Sequence, residues 1–219
     1  MTDIQTFVHP YLNIYTKCFL LQTAHYNVWI DAGLRGGWSG AQEKFLTDGR
    51  QNMVLLTHGH WDHIGGVNRI RRSGGLIYGH EEDRRELTDP DWQWLWQFEQ
   101  LKKDFDLPPA RKSIFWNSIE PPMDLDRIVK EGDILVFDRL RFRVIAAPGH
   151  SNGSVCYLEE NSGVLFSGDS IMGSGFFTGT PQISNFDAYC RSMEKVKHLA
   201  LRNVLTAHTQ PVPGEELSQ

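Results

Sequence analysis

Cysteine is scarce in this chain: Cys18, Cys156 and Cys190 are the three in 219 residues, and none are spaced as a CxxC pair. An odd count without paired spacing fits a reducing, cytoplasmic home, and the three thiols are expected to be small core residues. Long apolar runs are missing as well, so no membrane span is expected. The opening MTDIQTFVHPYLNIY has no positive segment leading into an apolar stretch, so no signal peptide is expected. Basic charge is also low. Lys and Arg number 22 against 27 Asp and Glu, for a formal net charge of −5. The cluster Arg69, Arg71 and Arg72 reads as one flank of a helix, not as the basic stripe of a nucleic-acid binder. There is no GxSxG elbow to present a nucleophilic serine. The 40% hydrophobic and 22% charged residues are those of an ordinary globular chain. The length suits one domain over 1–219, interrupted by a segment of different character at about 91–122.

Residues 17–32 read as two short strands around a turn at Thr23 to His25, from their apolar, aromatic and β-branched content. A glycine-rich turn follows at 33–38, then a helix over 39–49 with Ser39 as N-cap and Gly49 as its stop. MVLLTH (53–58) reads as a buried strand feeding a loop. Gly65 and Gly66 open the next helix, and LIYGH (76–80) is another strand. Strand, helix, strand in that order favours a layered α/β arrangement. The segment after Glu81 holds DWQWLWQFEQLKKDF, read as a helix over 91–105 on its Glu, Gln, Leu and Lys content, and then irregular chain. Strand hairpins are expected at 133–147, turning at Asp138 and Arg139, and at 154–169, turning at Asn161 to Gly163. Helical spacing returns at 186–201, and a strand closes at 204–208.

The residues that carry chemistry stand just after these strands. THGHWDHIGG (57–66) crowds His58, His60, Asp62 and His63 into six positions. Imidazoles that close repel when protonated, and each needs a partner when buried. His150 in APGHSNGS, Asp169 in FSGDS and His208 in LTAHTQ each follow another strand, and strand ends along one sheet edge are where an α/β scaffold gathers reactive groups. Seven nitrogen and oxygen donors are enough for two metal ions. His58 and His60, at i and i+2, point the same way in an extended segment, while Asp62 and His63 turn toward a second position. His9, His25, His80 and His198 read as ordinary core or surface histidines.

In these motifs the sequence resembles the hydrolases of the metallo-β-lactamase fold, nearest to the glyoxalase II-like group. VWIDAG, KEGDIL, PGHSNGSV and GDSIMGSGFFTG carry the likeness alongside the histidine motif. The resemblance implies an α/β (α+β) fold, an αββα sandwich of two mixed sheets with helices outside and metals at one edge. It assigns His58, His60 and His150 to one ion and Asp62, His63 and His208 to a second, with Asp169 bridging. Asp31 would support the histidine loop. Two divalent cations are implied, Zn first, with Fe and Mn also suited. A hydroxide shared between the ions would attack a thioester, ester or lactone carbonyl, with Asp62 and His208 as catalytic residues. Aspartate at 169 argues against the lactamases that use a cysteine ligand.

Two features depart from the resemblance. The last motif is AHTQPVP where many relatives have PGHG. The chain ends eleven residues after His208, so the helical domain with which glyoxalase II binds its glutathione thioester is not expected. Trp92, Trp96, Trp116, Phe176 and Phe177 are the candidates for binding a small acyl substrate. The alternative is that the aromatics of 91–122 pack the segment onto the sandwich or form a homodimer contact. No nucleic-acid or membrane partner is expected. Other readings are a persulfide oxygenase with one iron on His58, His150 and Asp169, and a non-catalytic sensor or partner-binding protein.

Overall fold

Within KCFLLQ, a strand must send Phe19 and Leu21 to one side and Leu20 to the other, so both faces of its sheet have to be covered. The computed structural model describes residues 3–11, 14–96, 110–119, 121–171 and 184–218, and it covers both faces. Strands β1 (Ile4–Tyr11), β2 (Ile14–Gln22) and β3 (Tyr26–Ile30) run antiparallel in turn. Helix α1 (Gly40–Glu43) leads to β4 (Gln51–Leu55), which lies parallel to β3. Helices α2 (Trp61–Ile64) and α3 (Val67–Arg72) precede β5 (Leu76–Gly79). Helices α4 (Arg84–Thr88), α5 (Pro90–Trp94) and α6 (Ala110–Ser118) come before β6 (Arg127–Ile128), which completes the sheet in the order β1-β2-β3-β4-β5-β6.

The second sheet is built from β7 (Ile134–Phe137), β8 (Leu140–Ala146), β9 (Val155–Glu159), β10 (Val164–Gly168), then helix α7 (Phe186–Lys197), β11 (Asn203–Thr206) and β12 (Val212–Pro213). Its order is β12-β11-β10-β9-β8-β7, antiparallel except where β11 lies parallel to β10 across the α7 crossover. Phe19, Leu21, Ile30 and Leu55 of the first sheet pack against Phe142, Val144, Tyr157 and Phe166 of the second. Burying each such side chain contributes about 1.5–3 kcal/mol. On the outer face of the first sheet, Leu20, Trp29 and Val54 are covered by Val67 and Ile70 of α3. Cys156, Leu158 and Leu165 on the outer face of the second are covered by Val196 of α7. This is the expected αββα sandwich of two mixed sheets.

Several local expectations need correction. The helix over 39–49 is shorter: α1 passes into a 3-10 turn at Lys44–Leu46, and the Ser39 side chain makes no capping bond. Gly49 does turn the chain, at φ +88°. The helix expected over 91–105 starts at Pro90, with the Asp89 carboxylate accepting from Trp92 N (2.9 Å), and residues 97–105 lie outside the described residues. The stretch read as irregular contains α6, because Phe115 and Ile119, one turn apart, pack into an apolar cluster with Trp94. Strand β1 was not expected. The helix at 186–201 ends at Lys197. Cys18 and Cys156 are buried as expected, but Cys190 is exposed on α7.

Candidate metal centre

The histidine loop begins where β4 ends, and Asp31, just past the parallel β3, shapes it. Asp31 takes φ +57°, a left-handed conformation that a non-glycine residue rarely adopts. There its carboxylate accepts from Thr57 N (2.7 Å), from the Thr57 hydroxyl (2.8 Å) and from His63 Nδ1 (2.8 Å). Asp31 thus supports the loop, the role expected of it. Helix α2 starts directly after His60. His58 and His60 therefore precede the helix, His60 with extended backbone, while Asp62 and His63 occupy its first turn, which points them elsewhere.

All seven expected donors converge. His150 Nε2 lies 3.2 Å from His58 Nε2 and 2.9 Å from His60 Nδ1. Asp62 Oδ2 lies 3.7 Å from His63 Nε2 and 3.4 Å from His208 Nε2. Asp169 stands between the two sets. Its Oδ2 is 3.5 Å from His150 Nε2, and its Oδ1 is 3.4 Å from His63 Nε2 and 3.2 Å from His208 Nε2. The sets His58/His60/His150, His58/His63/Asp169 and Asp62/His63/His208 each bring three donor atoms within 4.8 Å of one another.

Burial and charge divide the histidines. Burial, followed by the neighbouring imidazoles, holds His58 well below its ordinary pKa. Burial likewise lowers His60 and His150. These three are neutral, the form in which imidazole binds a metal. Burial also opposes charge on His63 and His208, but there the carboxylates prevail. Asp62, Asp169 and Asp31 raise His63 well above the ordinary value, and Asp169 and Asp62 lift His208 to about 9. Burial disfavours the Asp169 carboxylate, yet His208 and His63 hold its pKa well below the carboxylate range.

The residues fit divalent cations. His63 Nε2 and Asp169 Oδ1 are buried and have no hydrogen-bond partner among the described residues, so donor capacity is left over at the centre. The far nitrogens are held. His63 Nδ1 donates to Asp31, His208 Nδ1 donates to the Tyr15 carbonyl (2.6 Å), and His58 Nδ1 lies 3.1 Å from the Thr57 hydroxyl, which itself donates to Asp31. That pattern leaves each Nε2 unprotonated for a metal when the proton sits on Nδ1. A buried set of imidazole and carboxylate donors without sulfur suits Zn, Fe and Mn.

The aromatic candidates split. Trp92 and Trp96 are half-buried and stacked, 5.9 Å apart and 8° from parallel, with the Arg85 guanidinium 4.8 Å over Trp92. Trp116 is half-buried against Phe115. Phe176 and Phe177 lie outside the described residues. Trp94 and Phe115 are buried packing residues, joined by Trp61 from inside the histidine motif. The other histidines are accounted for: buried His9 accepts from Leu34 N, and His25, His80 and His198 bond Asp138, Glu82 N and Glu194. Sequence reading missed Trp61, whose signal was its place between His60 and Asp62. It also missed Asp83, which lies buried behind the histidine loops and in GHEEDRRE resembles a solvated charge run.

Residues 14–209 match the profile of the metallo-beta-lactamase superfamily, and the chain belongs to that superfamily. It is 27% identical over 175 residues to the chicken (Gallus gallus) acyl-coenzyme A thioesterase MBLAC2, covering 77% of this chain and 60% of the relative. It is 32% identical over 144 residues to a hydroxyacylglutathione hydrolase of Rhodobacter capsulatus, covering 63% of this chain and 43% of the relative. The chain thus spans about half the length of the curated relatives it matches. Among solved structures, the metallo-beta-lactamase family protein TTHA1429 of Thermus thermophilus superposes with a TM-score of 0.77 at 21% identity, over 98% of this chain and 77% of that one, which shows the shared fold. No helix among the described residues is long and apolar enough to cross a membrane.

Proposed function

We propose that this protein is a metal-dependent hydrolase of small acyl substrates, with thioesters first and esters and lactones as the wider class. The observation that carries this reading is the convergence of seven imidazole and carboxylate donors, five of them buried and Asp62 and His208 partly so, as two sets that meet at Asp169. The names of the thioesterase and hydroxyacylglutathione hydrolase relatives support the choice of thioester. In this reading His58, His60 and His150 hold one ion, Asp62, His63 and His208 a second, and Asp169 contributes to both, with Zn first among Zn, Fe and Mn. Cations held there supply the Lewis acidity that polarises a carbonyl and brings the pKa of water toward neutrality.

The remaining work belongs to the side chains. The Asp62 side chain is 15% exposed against 0% for His63 and 5% for His208, so it is the open side of its set and faces incoming water. Asp62 orients that water and accepts its proton, while the Tyr15 carbonyl fixes His208 through Nδ1 and keeps its Nε2 aimed at the same point, 3.4 Å from Asp62 Oδ2. The water oxygen bonds to the carbonyl carbon, the C–S bond breaks, and the thiol leaves with a proton. Trp92, Trp96 and Trp116 offer apolar surface for the acyl group. A single-iron oxygenase would leave Asp62 and His208 without a task, and a non-catalytic protein would leave all seven so.

The test is a panel of acyl thioesters, aryl esters and lactones offered to Zn-loaded and to chelator-treated protein. Thioester hydrolysis that is lost on chelation and restored by Zn supports the reading. A protein that holds two ions and cleaves none of the panel contradicts it.

A further inference from the structure

The two loops that carry the neutral histidines are tied together from behind by one buried carboxylate. Asp83, 3% exposed, stands between the 3-10 turn Glu81–Asp83 and α4. Its Oδ2 accepts from Gly59 N (3.0 Å), the residue between His58 and His60, and from the Ser151 hydroxyl (2.6 Å), the residue after His150. Its Oδ1 accepts from Gly153 N (2.6 Å). The sequence records the closeness of this contact. A Cβ on Gly59 would lie 2.5 Å from Glu86 Oε2, and one on Gly153 would lie 2.6 Å from Asp83 Oδ1, so both positions need glycine. Gln93 of α5, fully buried, adds a tie to the same point by donating to the Gly59 carbonyl (2.8 Å) and to the Glu86 carbonyl (3.0 Å).

We propose that Asp83 is a positioning residue for the His58/His60/His150 set, its carboxylate fastening the loop of His58 and His60 to the loop of His150. This inference rests on the metal reading above. Three donors from two loops meet one carboxylate, and hydrogen bonds to a charged, buried acceptor are among the stronger ones a protein makes. Without the brace, His58 keeps its tie through Thr57 to Asp31, and Gln93 still holds the Gly59 carbonyl, but none of these contacts joins that loop to the loop of His150. No comparable brace from Asp83 reaches the other set, where Asp31 and the Tyr15 carbonyl hold His63 and His208. The effect of losing Asp83 is therefore selective for one ion. Asp83→Asn has nearly the same volume but turns an amide donor toward backbone donors.

The experiment titrates metal-free wild type and Asp83→Asn with Zn²⁺ against a chromophoric chelator, records the Co²⁺ absorption spectrum of each, and follows unfolding of the metal-free forms. The expected result is that wild type takes two ions. Asp83→Asn keeps one at wild-type affinity and binds the other about 10–100-fold more weakly, as loss of a supporting contact behind metal ligands does. Its Co²⁺ spectrum changes for that ion alone, and its metal-free unfolding stays cooperative. Two ions bound at wild-type affinity overturn the proposal, and so does equal weakening of both, which marks general loosening. If Asp83→Asn does not fold, Ser151→Ala decides, since it removes one bond: about tenfold weaker binding of one ion supports the brace and wild-type affinity overturns it. A wild type that takes no ion overturns the metal reading itself, and this inference with it.

Discussion

The imidazoles of His58, His60 and His150 and the acid-rich group of Asp62, His63 and His208 share Asp169, yet before any cation arrives they are opposites. Burial strips the first set of protons. In the second, Asp62, Asp169 and Asp31 keep protons on His63 and His208 against that same burial. One set is ready to bind, whereas the other holds protons where a cation would sit. The difference follows from placement. The rings of His58, His60 and His150 crowd one another, with centroids within 4.7 Å, while His63 and His208 each meet at least two aspartates within 3.7 Å.

The largest effect should come from removing what the two sets share. Asp169→Ala is expected to lower kcat/KM for a thioester by about a thousandfold or more while circular dichroism stays native, because both sets lose a donor. It also takes away the main charge that lifts His208, so the proton on that imidazole should be lost at a lower pH, as NMR titration of the metal-free protein would show.

Next come single residues from each side, compared without metal. His208→Ala removes an imidazolium paired with two carboxylates and leaves Asp169 buried with less compensation. The expected loss is about 2 kcal/mol at pH 7, read from chemical denaturation in chelator. His60→Ala removes a neutral, desolvated ring and should cost clearly less. Equal losses would erase the proposed contrast.

The third prediction concerns pH. Because the folded pKa of His208 is raised from 6.5 to about 9, its stabilising contribution is complete below 6.5 and disappears as pH rises toward 9. Metal-free protein should lose stability through that window. Zn²⁺ affinity of the second ion should rise there as protons cease to compete, with the first ion nearly unaffected. Calorimetric titration at several pH values reads both slopes.

The smallest effect lies behind the first set. Burial and then the adjacent Asp83 carboxylate raise Glu86 well above its ordinary value of 4.5, so the folded state favours the protonated acid. Glu86 therefore contributes fully below 4.5 and progressively less as pH rises through its folded pKa. Glu86→Gln should unfold like wild type near pH 4 and a few degrees higher at pH 8. A thermal scan at the two pH values checks it.

The metal centre was more legible in the sequence than the structure that supports it. The donor motifs follow apolar runs that read as buried strands, and metal binding permits few residue types. Parts of the fold lacked such signals. Strand β1 carries His9 and Pro10, and His9 is buried because its Nδ1 accepts from Leu34 N, a partner 25 residues away. Helix α6 was hidden by the prolines just before it in sequence, and its reason to form is the packing of Phe115 on Trp94. Asp83 had no signal at all. One acid in a charged run becomes a buried brace only because the fold brings Gly59, Ser151 and Gly153 to it. Cys190 was misplaced for a related reason: helical spacing alone does not say which face α7 turns to the sheet.

The central claim is that these seven side chains hold two cations. Metal content per chain by elemental analysis, on protein purified without added metal and again after Zn²⁺ reconstitution and desalting, tests it most directly. Two ions per folded chain is the predicted result. A reconstituted, folded chain that keeps one ion or none contradicts the account.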